Sequence, residues 1–218
     1  TPYYAPESYR VYVDGQEAFS CDTNVFSLFN LHPDTEYALK LSGTTISEEL
    51  SFRTAAEVLA VNVRDFGAKG DGLCDDTAAI QTAIWYLPEG GRLFFPPGTY
   101  LTKPLVLKSR MTLELTRGAE LLGWPERTDW PVCPGKVTAL DGKDWFFGGF
   151  EGQAASMYQS LLTAQYAEEI AIVGEGCVNG NADHSDFWTA FRTDPIARPR
   201  LMFFNRCRVV RIHGIHAC

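Results

Sequence analysis

The chain has 218 residues, of which 45% are hydrophobic and 21% charged, a composition that buries a core and excludes a disordered tail. Nineteen basic residues stand against 27 acidic ones, and the net charge of −8 disfavours generic binding to nucleic acid or to anionic lipid. No uncharged run approaches the ~18 apolar residues of a membrane-spanning helix, so no contact with a membrane core is expected.

Nineteen glycines, 12 prolines and many aromatic residues favour strands and turns over helix bundles. Six cysteines (Cys21, Cys74, Cys133, Cys177, Cys207, Cys218) are scattered with no C-x-x-C pair. Structural zinc needs closely spaced soft ligands, so no metal and no cofactor is expected. The cysteines read as small buried hydrophobes, with one or two bridges left open.

Residues 1–57 form one compositional block. Tyr9 to Val13 alternates as a half-buried strand and runs into the turn signal Asp14-Gly15. Thr35–Leu41 and Glu49–Arg53 are two further strands. Between Leu31 and Tyr37 the L-x-P-x-T-x-Y pattern has the form of a tyrosine corner, whose hydroxyl ties a crossing loop to backbone. His32, in that turn, reads as a solvated loop residue. Ala55-Ala56-Glu57 is a brief linker.

A second pattern occupies residues 58–218. Val61–Gly67 reads as a strand, followed by the glycine-rich segment Gly67–Gly72, which lacks G-K-[ST] and whose aspartates would repel a phosphate. Asp75-Asp76-Thr77 is a helix N-cap signal with early acids suited to the dipole. Ile80, Ala83, Ile84 and Leu87 then form one helical stripe that Pro88 stops, predicting a helix over 76–87. Short strands recur after Gly90 at Leu105–Leu107, Met111–Leu115 and Glu120–Leu122. From Gly123 to Gln159 the pattern weakens into a long loop carrying Trp124, Trp130, Trp145, Phe146 and Phe147; loops of that length are usually functional or disordered.

The chain then repeats itself. Residues 161–176 (LLTAQYAEEIAIVGEG) align without gaps on residues 201–216 (LMFFNRCRVVRIHGIH), pairing Leu161 with Leu201, Ile172 with Ile212 and Gly174 with Gly214. Each unit offers two short strands, a polar turn and a glycine, and such units bury a core only by stacking.

Taken together, DFGAKGDGLCDDTAAIQTAI (65–84) and FFPPGTYLT (94–102) resemble the opening of pectin-lyase-like right-handed parallel β-helix proteins. YQSLLTAQYAEEIAIVGEGCVNGNADHSDFW (158–188) and RPRLMFFNRCRVVRIHGI (198–215) resemble polygalacturonases of glycoside hydrolase family 28. The block before Glu57 resembles a fibronectin type III module from its third strand onward. The resemblance implies an all-β chain: an incomplete fibronectin type III-like β-sandwich (1–57), then the first coils of a right-handed parallel β-helix with an N-terminal capping helix (58–218). It further implies hydrolysis of α-1,4 links between galacturonate units, exo-acting and inverting, by a protein met outside the cytoplasm or in the periplasm. The partner it implies is acidic polysaccharide, namely polygalacturonate or pectin oligomers.

In that family the catalytic aspartates lie in an N-x-D segment and a following D-D segment, with G-H-G and R-I-K further on. The family places this succession several coils beyond the equivalent of Ile215, and it does not occur here. Asp75-Asp76 lies too early to be the D-D pair. No catalytic residue is therefore assigned, and the chain resembles the front part of an enzyme. Asp183, Asp186 and Asp194 are carboxylates of one inter-coil loop and read as solvated acids or turn formers. The D-x-x-D spacing of Asp183-His184-Ser185-Asp186 reads as chance rather than as a metal site or triad fragment.

Trp188 either stacks on a sugar face or caps the edge of the core. Between Arg192 and His213, six arginines (192, 198, 200, 206, 208, 211) face one acid, Asp194. Arginine pairs bidentately with carboxylates, so this patch suits a uronate polymer; alternatively its members pair with acids on neighbouring coils. Arg198, Arg200 and Trp188 are the candidate substrate-binding residues. His213 and His216 read as packing or edge residues. Two functions of different class follow: part of a pectin-degrading glycosidase, or a noncatalytic β-helix that binds acidic polysaccharide. A calcium-dependent lyase is the weaker third, for want of a carboxylate cluster.

Overall fold

A computed structural model describes residues 3–189 and 193–218, and the chain divides into two compact units, Thr1–Glu57 and Val58–Cys218. The first unit is a single antiparallel sheet. Its strands are β1 (Tyr4–Val13), β2 (Gln16–Thr23), β3 (Glu36–Ser42) and β4 (Ser47–Arg53), in the order β2-β1-β3-β4. Of the expected incomplete sandwich, the described residues of this unit form this one sheet. It includes a strand that pattern reading missed. Asp14 and Gly15 both adopt left-handed conformations, φ 49° and 78°, forming the two-residue hairpin turn that returns the chain as β2. An Asp-Gly turn obliges a partner strand, but β2 itself is too polar to announce one.

The Tyr37 hydroxyl accepts a hydrogen bond from the His32 N–H at 2.8 Å, the bond of a tyrosine corner. Tyr9, Val11 and Tyr37 are buried on one face of the sheet. At the far end, the Glu7 carboxylate accepts from the N–H groups of Thr44, Thr45 and Ile46 and from the Thr45 hydroxyl, closing the β3–β4 turn. The hydroxyl and amide bonds hold its pKa at about 2.

The second unit opens with β5 (Ala60–Asn62), a 3-10 turn (Val63–Phe66), β6 (Asp71–Asp75) and α1 (Thr77–Tyr86). Of the strand expected over 61–67, only Val61 and Asn62 are strand: the Asn62 side chain accepts from Arg64 N–H and bends the chain into the 3-10 turn. Next come β7 (Gly91–Phe95), β8 (Gly98–Thr102), β9 (Leu105–Val106), β10 (Met111–Leu115) and β11 (Ala119–Gly123). The long loop holds β12 (Val132–Cys133), β13 (Lys136–Thr138), β14 (Asp144–Phe146) and β15 (Met157–Tyr158), paired as two small antiparallel ribbons. The repeats follow as β16 (Leu162–Gln165), β17 (Glu168–Gly174), β18 (Cys177–Asn179), β19 (Met202–Asn205), β20 (Arg208–His213) and β21 (His216–Ala217).

Three parallel sheets result, ordered β5-β7-β10-β17-β20, β6-β8-β11-β18-β21 and β9-β16-β19. The chain visits them in turn and then starts a new coil, which is a parallel β-helix. Like residues stack in interior columns. Val61, Leu93, Leu113, Ile172 and Ile212 are successive register partners. So are Tyr100, Leu121, Val178 and Ala217. Leu93, Leu113 and Ile172 are 0% exposed, whereas Ile212 in the last column position is 44% exposed. The repeat register is as the alignment predicts, Ile172 opposite Ile212.

The bends between sheets recur too. Arg110, Glu169 and Val209 each stand one residue before the register partners Met111, Ile170 and Val210, with φ of 54°, 56° and 55°. Gly174 needs its missing side chain: at φ 117°, a Cβ would lie 2.0 Å from the Leu115 carbonyl oxygen.

The helix sits one residue inside each predicted end. Ile80, Ala83 and Ile84 are fully buried and Leu87 nearly so, closing the first coil. Its N-terminus differs from the sequence expectation. Asp76 makes no side-chain cap; its buried carboxylate accepts from Lys69 N–H (2.7 Å) and Gly70 N–H (2.9 Å), pinning the glycine-rich segment. Asp75 instead accepts from Thr77 N–H. The cysteines are also corrected: Cys74 and Cys218 are exposed and the other four half-buried, because they fall at outward strand positions and turns.

Candidate functional site

Between β18 and β19, residues 180–189 and 193–201 are anchored by aromatic packing and one arginine. Phe187 is buried edge-on against Trp130 and against Tyr158, each ring centroid 5.2 Å away. Trp130 donates its indole N–H to Trp124 O at 3.0 Å. Arg127 reaches both acids of the segment, Nη1 to Asp186 Oδ2 at 2.8 Å and Nε to Asp194 Oδ2 at 3.1 Å. Its backbone N–H also donates to Asp186 Oδ1 at 2.8 Å. Asp194 further accepts from Ile196 N–H (2.9 Å) and the Tyr158 hydroxyl (2.7 Å), which hold its carboxyl below the usual range. Burial first and that carboxylate second push the Tyr158 phenol up.

Of the two readings of these acids, solvated or turn-forming, Asp194 is turn-forming through Ile196 N–H, and both Asp186 and Asp194 also pair with Arg127. A general acid of glycoside hydrolysis needs a raised pKa, and Asp194 is displaced the opposite way. Asp183 is exposed. Asn181-Ala182-Asp183 carries the letters N-x-D, but Asn181 is a buried turn residue (φ 57°) whose amide donates to Gly123 O at 2.8 Å. No aspartate pair follows it in sequence. Among the described residues no group of three or more His, Cys, Asp or Glu side chains is disposed to hold a metal ion.

The three candidate binding residues share one groove of about 460 Å³, bounded by Trp130, Phe187, Trp188, Arg198, Arg200 and Leu201. Trp188 is 55% exposed, and the Arg198 guanidinium lies 3.8 Å above its ring centroid. Arg200 is exposed and bound to the long loop, donating to Gly149 O at 2.7 Å and to Met157 Sδ at 3.1 Å. The remaining arginines divide. Arg208 pairs with Glu168 at 3.2 Å, extending a ladder in which Arg110 bridges Glu89 and Glu168, as the pairing alternative anticipates. Arg206 lies over the Tyr166 ring at 5.6 Å, and Arg211 is exposed opposite Ala171. Arg192 lies outside the described residues. His213 and His216 are exposed edge residues.

Of the loop aromatics, Trp130 is core, whereas Trp145 is 40% exposed and packs edge-on to Tyr166 at 5.1 Å. Arg127 was missed by sequence reading because its partners lie 59 and 67 residues away. The run of acids and aromatics on both segments was the only signal available to it.

Comparison with known proteins agrees with this architecture. The family described as "Rhamnogalacturonase A/epimerase, pectate lyase-like" matches residues 60–134. An "Exo-poly-alpha-D-galacturonosidase" of Dickeya chrysanthemi is 34% identical over 145 residues, covering 64% of this chain and 23% of that protein. A "Probable polygalacturonase" of Vitis vinifera is 35% identical over 124 residues, covering 55% and 23%. Among solved structures, a family 28 exopolygalacturonase of Yersinia enterocolitica superposes with a TM-score of 0.66 at 20% identity, over 99% of this chain and 50% of that one. A hyperthermoactive exopolygalacturonase of Thermotoga maritima superposes with a TM-score of 0.53 at 26% identity, over 72% and 41%.

The fold is that of the pectin-lyase-like parallel β-helix enzymes. Within them the chain is similar to the polygalacturonases of glycoside hydrolase family 28, and it spans less than a quarter of the length of these two curated relatives.

Proposed function

We propose that the chain forms the leading part of an inverting, exo-acting glycoside hydrolase that cleaves α-1,4-galacturonosyl links of pectin. In this reading residues 1–57 are a partial fibronectin type III-like module and residues 58–218 the first coils of the β-helix. The protein works outside the cytoplasm or in the periplasm, where the polymer is met. The observation that carries the reading is the 34% identity to an exo-poly-α-D-galacturonosidase over 145 residues. The Arg198–Trp188 stack beside Arg200 supports it: a guanidinium for a uronate carboxylate and an aromatic face for a sugar ring border one groove.

In this reading the acid and base come from other residues than Asp186 and Asp194, which are committed to Arg127. That commitment favours the second reading, a noncatalytic binder of acidic polysaccharide, for the 218 residues taken alone. A general acid and base each contribute about 10²–10⁴-fold, so losing both leaves nothing above background.

A reducing-sugar assay on polygalacturonate, beside the same assay on a longer gene product carrying the following coils, separates these. Turnover only by the longer protein is expected. Turnover by the 218-residue chain at a comparable rate would return the chemistry to Asp183, Asp186 and Asp194. No turnover by either would leave the binder.

A further inference from the structure

Cys177 opens β18, and Cys218 follows β21, the strand that lies beside β18 in the next coil. The register sets Cys177 opposite His216 and Val178 opposite Ala217. Cys218 N–H donates to Val178 O at 3.0 Å, and Gly180 N–H donates to Cys218 O at 2.7 Å, so both cysteines are held by the ladder itself. Side chains alternate along a strand. Val178 is fully buried, so Cys177 faces outward, and Cys218 shares that outward face diagonally across the strand pair. Their sulfurs are 3.3 Å apart, with Cys177 half-buried and Cys218 exposed.

A disulfide requires sulfurs at about 2.0 Å and Cα atoms roughly 4.4–6.8 Å apart. Cys218 stands two residues beyond His216, the register partner of Cys177, a diagonal pair whose Cα atoms ordinarily lie about 7–8 Å apart, so closing the bond takes rotation about the Cα–Cβ bonds together with a shift of about 1 Å of Cys218 toward β18. We infer that Cys177 and Cys218 form a disulfide that staples two successive coils on the outer face, closed by exchange with a low-molecular-weight disulfide. The exposed Cys218 thiolate attacks that disulfide, forming a mixed disulfide and releasing one small thiolate. The Cys177 thiolate then attacks the Cys218 sulfur, forming the intramolecular bond and expelling the second. The two protein thiols are oxidised, the small disulfide is reduced, and the two protons pass to the released thiolates.

Burial first, and Cys218 beside it second, push the Cys177 thiol up to about 12. Capping Cys218 removes that second influence, so the resolving step becomes easier after the first has occurred. The staple concerns neither Arg198, Arg200 nor Trp188 and stands whatever the polysaccharide reading becomes.

The test is oxidation of the reduced 218-residue chain in glutathione buffers of graded ratio, acid quench, alkylation and peptide mapping without reduction. The expected result is a linked pair of peptides containing Cys177 and Cys218, with alkylated thiols falling from six to four. Cys177→Ser should stop the reaction at a glutathione adduct on Cys218, with tryptophan fluorescence confirming that the variant is folded. Accumulation of glutathione on Cys218 in the unaltered chain without closure would overturn the inference. So would a link from either cysteine to any of the other four, or six thiols still alkylated after oxidation.

Discussion

Truncating one interior column at two heights gives a graded stability test. Leu113 is fully buried between Leu93 and Ile172, and Ile212 is the last member of the same column at 44% exposure. Leu113→Ala loses the transfer free energy of the deleted carbons and leaves a gap walled by coils on both sides. Buried Leu→Ala changes cost about 2.7–5 kcal/mol, and a site clamped between two strands collapses poorly, so ~3–4 kcal/mol is expected. Ile212→Ala deletes atoms already half in water and leaves no enclosed cavity, so only about half the transfer contribution survives, ~1 kcal/mol. The assay is urea unfolding of the 218-residue chain, in which Ile212 ends the column, followed by tryptophan fluorescence. All five tryptophans lie in the second unit, so the signal reports that unit alone. The midpoint should fall strongly for Leu113→Ala and weakly for Ile212→Ala, with unchanged slope. Equal losses at the two positions would refute the reasoning, because Ile212 would then be as enclosed as Leu113.

Three further outcomes follow from the geometry. Glu7 has its folded pKa at about 2 against an ordinary 4.5, so its stabilisation is present above about pH 4.5 and lost as pH falls toward 2. Hydrogen exchange at the Thr44–Ile46 amides should quicken over that window, and Glu7→Gln should abolish the pH dependence. Arg127→Gln should release Asp186 and Asp194, read as faster limited proteolysis beside each of them with little change in the first unit. Gly174→Ala forces a Cβ against the Leu115 carbonyl at positive φ and should cost more than ~3 kcal/mol by the same urea assay, since carbonyl and strand both resist moving.

What the sequence disclosed was whatever obeyed a short period. The 161–176 and 201–216 repeat lines up in the structure with Leu162 opposite Met202 and Ile172 opposite Ile212. The helical stripe of Ile80, Ala83, Ile84 and Leu87 is buried. Failures arose where a local signal had a distant use. Asp76 looked like a helix cap and is a clasp on Lys69 and Gly70. The strand after Val61 stopped at Asn62 because one side chain bonded two residues ahead. Of the candidate site, Trp188, Arg198 and Arg200 border one groove. The Arg127 anchor was hidden, because ion pairing between remote segments leaves no spacing to read.

The interior columns have a consequence for how such a molecule can vary. The chain travels twice as far from Ile172 to Ile212 as from Leu93 to Leu113, and nearly three times as far from Leu113 to Ile172. Yet each journey advances the stack by one strand spacing, about 4.8 Å. Pitch is therefore decoupled from circumference. Extra residues swell a coil sideways without lengthening the axis or disturbing the columns above and below, and the cost of a longer excursion grows only with the logarithm of its length. Residues 124–157 are such an excursion, and they supply the contacts that hold Arg200 and Phe187. Walls around a groove can thus be rebuilt by insertion while the ladder beneath keeps its register, which makes the lateral loops, rather than the coils, the part of this architecture on which specificity can diversify.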